Sequence, residues 1–142
     1  MEVTRNRVVG TFVARGVLGL IFLMQGYGKV FRWGVARIYQ NGFAPYEATF
    51  LPAVLLKVTA YYTSYVELTA GFLVLIGLWR NYALYALGSV LLIVSYGHGL
   101  KEPIWDLHHV FFRAALLIFL LLIPEAWDSW SVDGWRHRRR ST

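Results

Sequence analysis

The chain has 142 residues, of which 57% are hydrophobic and 15% charged, with a mean hydropathy of +0.47. Globular domains run at about 45–50% apolar and about 25% charged, so this composition excludes a disordered chain and most water-soluble enzymes. The formal charge of +6 is local: four of the eleven arginines, Arg136, Arg138, Arg139 and Arg140, fall in the last seven residues. Beside a hydrophobic segment such a cluster reads as a membrane-topology signal touching anionic lipid, not as a nucleic-acid site.

In chain order, apolar runs over 8–31, 54–79, 82–98 and 109–124 predict four helices, followed by a basic tail over 134–142. Each crossing needs roughly 20 apolar residues, so the length holds at most four or five and leaves no room for a soluble domain. The expectation is an all-α integral membrane four-helix bundle, up-down in topology, formed by one domain spanning 1–142. Arg5 and Arg7 precede the first run as in a signal peptide, but Arg15 interrupts it and no small-x-small cleavage site follows, so it reads as retained. Between the first two helices, 32–53 holds Trp33, Tyr39, Phe43, Tyr46 and Phe50, too many aromatics for a free linker, and predicts an interfacial re-entrant or amphipathic segment. The third and fourth runs are short for a ~30 Å hydrocarbon core, so their flanks, Asn81, Gly97, His98 and His109, must help them span. Trp79, Trp105, Trp127, Trp130 and Trp135 fall at helix ends and read as an aromatic belt. With both termini cytoplasmic, that side collects Arg5, Arg7, Arg80 and the four terminal arginines, against Lys29, Arg32, Arg37, Lys57 and Lys101 outside. The expected location is the cell (inner) membrane.

A charge at the bilayer centre costs roughly 2.5–3.5 kcal/mol, which singles out Arg15, Lys29, Glu67, His98, His109 and Arg113. On the first helix Arg15, Gly19, Phe22, Gly26 and Lys29 share a stripe about 60° wide, with Gln25 at its edge. The second helix presents Ala60, Thr63, Ser64, Glu67 and Gly71 at the matching spacing. Glycine admits a neighbouring backbone and the cations need a partner, so these faces should meet. Counted from the cytoplasmic helix ends at 1.5 Å per residue, Arg15 lies about 10 Å and Glu67 about 17 Å deep, which predicts a buried Arg15–Glu67 ion pair. His98, His109, Arg113 and Lys29 are expected at the outer end with Gln25, as a cluster of donors suited to an anionic or quinone-like head group. The structural alternatives are an ion pair that only locks two helices and interfacial histidines solvated by headgroups. Haem ligation by His98 and His109 is disfavoured, both lying near one face a short loop apart, and Asp106, His108 and His109 make a weak metal site. No phosphate loop, GxGxxG, HExxH or GxSxG occurs, so soluble cofactor chemistry is not encoded. The absence of cysteine excludes disulfides, thiol relays and Cys-ligated clusters.

The run from Arg15 through Gly19, Phe22 and Gly26 to Lys29 and Phe31 resembles the opening signature of the DoxX family of small four-helix membrane proteins. Glu67, Gly71, Gly77 and Arg80 resemble that family's second motif, and Ser131-Val132-Asp133-Gly134 its terminal S-L-D element. The resemblance implies a membrane subunit associated with redox work, in one branch a thiosulfate:quinone oxidoreductase and in others a partner of oxidative-stress proteins. The loop 32–53 and the stretch 107–113 have no counterpart in that pattern, and the lack of cysteine tells against a thiol-relay member. The expected function is a redox-associated membrane protein that binds a quinone or similar lipid-soluble partner, with no covalently bound cofactor, as an oligomer or a subunit working with a soluble or membrane redox partner. The rival readings are a non-catalytic scaffold subunit and a small transporter.

Overall fold

A computed structural model describes residues 3–102 and 108–140. Among these the chain is all-helical, with α1 Arg5–Tyr27, α2 Val35–Ile38, α3 Ala53–Ile76, α4 Arg80–Lys101, α5 His108–Leu122 and α6 Val132–Arg140. Asp106 and Trp105 lie outside the described residues. The four long helices pack in a closed order, α1 on α3 along most of its length, α3 on α4, α4 on α5 and α5 back on α1. Leu18, Phe22, Val74, Leu84, Leu87 and Leu120 fill the space between them with no solvent exposure. Outside, Leu92, Phe111, Phe112 and Leu122 are between 65% and 79% exposed, an apolar coat that water does not favour. By length and apolarity two helices can each cross a membrane: α1 with its continuation, 28 residues over Arg5–Arg32, and α4, with 22 residues. The apolar α5 has 15 residues, and α3 carries Lys57 and Glu67 within its 24 residues.

Glycine sets the tightest contact. Gly19 faces Leu75, Leu23 faces Gly71 and Gly26 faces Leu68, so α1 and α3 run antiparallel in a fixed register. A Cβ on Gly19 would stand 2.7 Å from the Leu75 backbone and one on Gly71 2.5 Å from Leu23 N, while one on Gly26 would overlap the Leu68 backbone. This close approach brings the two backbones into dispersion contact along the crossing.

α3 stops at Gly77, whose φ of 68° is the left-handed conformation glycine adopts without cost. The stop is sealed by Leu78 N donating to Leu73 O (3.0 Å) and Gly77 N donating to Val74 O (3.1 Å), a Schellman-type closure. Trp79, also left-handed at φ 49°, turns the chain directly into α4, which begins two residues before the expected 82 and runs beyond 98 to Lys101. It ends there because Pro103 disfavours helix at the residue before it, and Glu102 is extended (φ −136°, ψ 95°). α1 continues into a five-residue π-helix, Gly28–Arg32. The expected interfacial segment is a run of short helical turns: α2, a π turn over Tyr39–Phe43 and a 3₁₀ turn over Ala44–Ala48, all against α3. Tyr39 donates a hydrogen bond to Glu47. The Tyr46 hydroxyl lies near Gly97 on α4, 4.0 Å from where a Cβ would stand; burial, and then the Glu102 carboxylate, push its pKa up.

Candidate functional site

Two charge clusters lie along α1, one at its middle around Arg15 and one just past its C-terminal end around Lys29. At the first, Arg15 is 2% exposed, and four hydrogen bonds hold it. Nε donates to Asp128 Oδ1 (3.0 Å), Nη1 to the carbonyls of Val74 (3.1 Å) and Leu75, and Nη2 to the Trp130 carbonyl (2.7 Å). Val74 and Leu75 belong to the last turn of α3; Val74 O already accepts from Gly77 N, and Arg15 adds a second closure of this helix end from a neighbouring element. Asp128 Oδ2 lies 3.5 Å from Arg80 Nη1, so one buried carboxylate serves two arginines. The segment after α5 is pinned to the α3–α4 turn by Asp133 N donating to Gly77 O (3.0 Å), Arg80 N donating to Asp133 Oδ2 (3.3 Å) and Asn81 donating to Glu125 (3.0 Å). Ser131 Oγ donates to the Asp128 carbonyl (2.5 Å) and accepts from Gly134 N (3.0 Å). Phe12 and Trp130, edge to face at 5.7 Å, cover the cluster.

The second cluster forms where α1, α3 and α5 approach. Lys29 Nζ donates to Glu67 Oε1 (2.9 Å) and stands 2.7 Å from Oε2. The ammonium thus faces both carboxylate oxygens, and among the described residues no other group donates to the buried Oε2. Arg113 on α5 is half-buried, 5.9 Å from the Phe22 ring centre, and acts electrostatically on Glu67. With its amide oxygen turned toward α5, Gln25 accepts from Arg113 Nη1 (3.3 Å) and Nη2 (3.0 Å). The cluster thus holds two cations against one carboxylate. Of its members Lys29 sits on the π-helical turn that continues α1, a departure from α geometry frequent at functional positions.

The expected Arg15–Glu67 pair does not form. In the α1–α3 register Arg15 is level with residue 79, twelve residues past Glu67, or about 18 Å at 1.5 Å per residue. Each charge takes a different partner: Arg15 pairs with Asp128, and Glu67 with Lys29. Of the expected outer cluster, Gln25, Lys29 and Arg113 come together, but around Glu67. His109, one turn before Arg113, and His98 are both exposed. Asp128 escaped the sequence reading because it follows Pro124, outside every apolar run and 113 residues from Arg15. A buried arginine in need of an acid was the one signal that pointed to it.

The family signature residues converge on these clusters: Arg15, Gly77, Arg80, Ser131 and Asp133 on the first, Gly26, Lys29 and Glu67 on the second. Searches of curated proteins and of solved structures gave no match. The model of the DoxX family matches residues 10–98, well over half of the chain, and the chain therefore belongs to the DoxX family of membrane proteins.

Proposed function

We propose that this chain is a redox-associated membrane subunit whose Gln25–Lys29–Glu67–Arg113 cluster binds a quinone or a similar lipid-soluble carbonyl compound. The observation that carries the reading is the open arrangement of the cluster: Lys29 faces both oxygens of the Glu67 carboxylate, and a second, half-buried cation, Arg113, acts on it only at a distance. The Arg15 cluster also sets two arginines against one carboxylate, but there both cations reach Asp128 directly and all three side chains are buried. Excess positive charge at low dielectric favours an electron-rich oxygen, so Lys29 and Arg113 would polarise a ligand carbonyl and stabilise the negative charge that reduction places on it. Glu67, whose Oε2 is met by Lys29 alone, would accept a further hydrogen bond from a ligand hydroxyl. Lys29, 21% exposed at its side chain, and half-buried Arg113 mark the side from which such a ligand approaches. In this reading α1, α3, α4 and α5 each cross the cell membrane, up and down, with both termini cytoplasmic. The chain works with a soluble or membrane redox partner.

The test is titration of the purified protein in detergent with a short-chain ubiquinone, followed by quenching of tryptophan fluorescence. A hydrogen bond to a charged group is worth about 1.5–3 kcal/mol, so Arg113→Gln is expected to weaken binding by roughly tenfold or more with helical content unchanged. Equal affinity of the wild type and the folded variant would contradict the proposal. A second reading, a scaffold subunit without a ligand, is favoured by the tyrosines Tyr61, Tyr62 and Tyr65 on the outer face of α3, 38% to 48% exposed beside a groove of about 530 Å³. It predicts co-purification with a fixed partner and no quinone response.

A further inference from the structure

Around the Arg15 cluster the acids are all engaged: Asp128 by Arg15 and Arg80, Asp133 by the Arg80 backbone, Glu125 by Asn81. α6 follows these acids in the chain and carries the basic residues. α6 is nine residues long, with Asp133 in its first turn and His137, Arg138, Arg139 and Arg140 in its last, the charge order that its own dipole favours. Its start is rigidly held, since Asp133 N is bonded to Gly77 O, and a Cβ on Gly134 would stand 2.7 Å from the Asp128 carbonyl. Its direction is therefore set by the helices beneath it rather than by a free tail.

That direction separates its side chains. At 100° per residue, Trp135, Arg139, Arg136 and Arg140 fall within an arc of about 140°. His137 and Arg138 point the other way and line a groove of about 570 Å³ with Trp79, Arg80 and Tyr82. All of residues 135–140 are exposed. Trp135 lies against Arg139, with the guanidinium 3.8 Å from the ring centre. Trp79, Trp130 and Trp135 are 58%, 52% and 49% exposed at this one end of the molecule, where indole rings seek the headgroup layer. We infer that the Trp135–Arg136–Arg139–Arg140 face of α6 is a prepositioned binding site for the phosphate headgroups of anionic phospholipids. Trp135 anchors at the glycerol level and the three arginines take the phosphates in forked hydrogen bonds.

The test uses the whole protein in nanodiscs of phosphatidylcholine alone or doped with phosphatidylglycerol, read as the melting temperature and as the phosphatidylglycerol retained on re-extraction. Wild-type protein is expected to melt higher in the doped discs, with the difference shrinking at high salt. In the triple variant Arg136→Gln, Arg139→Gln, Arg140→Gln each lost charge is expected to lower phosphatidylglycerol retention about fivefold. The same variant should melt like the wild type in phosphatidylcholine, which controls for folding. Lysine at the same three positions is expected to restore part of the retention, by charge without the fork. Equal melting in both disc compositions, or equal retention by the glutamine variant, would overturn the inference. So would stabilisation of the detergent-solubilised protein by inorganic phosphate to the same extent as by the lipid, since the site would then be one for free phosphate.

Discussion

Arg15 directs four of the five N–H donors of its guanidinium at fixed acceptors, two of them the last carbonyls of α3. With its side chain 2% exposed, the remaining donor is shut in with the rest, so its role is structural, and Asp128 carries the same role for two arginines at once. Asp128→Asn is therefore expected to destabilise the protein by about 3–5 kcal/mol, the cost of leaving buried charge unpaired, seen as a lower melting temperature in detergent. Glu67→Gln should cost clearly less. Its partner Lys29 is 21% exposed and can swing its ammonium toward water on a flexible stem. A Glu67→Gln variant as unstable as Asp128→Asn would mean that Lys29 is as trapped as Arg15. The sequence made both buried charges visible, because a cation and an acid inside apolar runs must have partners. It could not pair them correctly. Pairing depends on register, and a shift of a few residues at the helix ends moves a side chain by several ångströms along the axis.

Between elements, the legible feature was the pairing of glycine faces on α1 and α3, readable from the spacing of Gly19, Gly26 and Gly71 alone. Gly26 does more than admit a helix. By letting the Leu68 backbone come into contact it brings Glu67 within reach of Lys29, three residues further along α1. Gly26→Ala is expected to force the helices apart, at a cost at the upper end of the about 1–3 kcal/mol typical of overpacking, and to weaken quinone binding with it. Gly16→Ala is the matched control: the added methyl meets nothing within 4 Å, and no loss of stability is expected. Equal behaviour of the two variants in melting experiments would contradict the close crossing. Less was legible in the connections. The aromatic loop was readable as ordered because so many rings cannot stay in water, yet its breakdown into π and 3₁₀ turns follows from packing on α3 that no local pattern announces. α4 looked too short because Gly97, His98 and Gly99 interrupt the apolar count, although none of them breaks a helix that neighbours support.

At the scale of the molecule, α1 separates two kinds of polar chemistry by about 21 Å, fourteen residues from Arg15 to Lys29. One end is closed and ties the C-terminal segment to the α3–α4 turn. The other is partly open, with Lys29 21% exposed and Arg113 half-buried. Aliphatic packing joins them and lipid-facing aromatics cover them. This division has meaning only if the helices cross the bilayer in alternation, which places the two ends on opposite sides of the membrane. The chain has no cysteine, so single substitutions report without background. Asn41→Cys lies in the exposed loop before α3, Trp79→Cys in the α3–α4 turn and Arg140→Cys at the end of α6. The most direct measurement is labelling of these three variants in intact and permeabilised cells with a membrane-impermeant maleimide. The expected result is that position 41 reacts in intact cells, and that 79 and 140 react together only after permeabilisation. Labelling of 41 and 79 from the same side, or of 79 and 140 from opposite sides, would contradict the account.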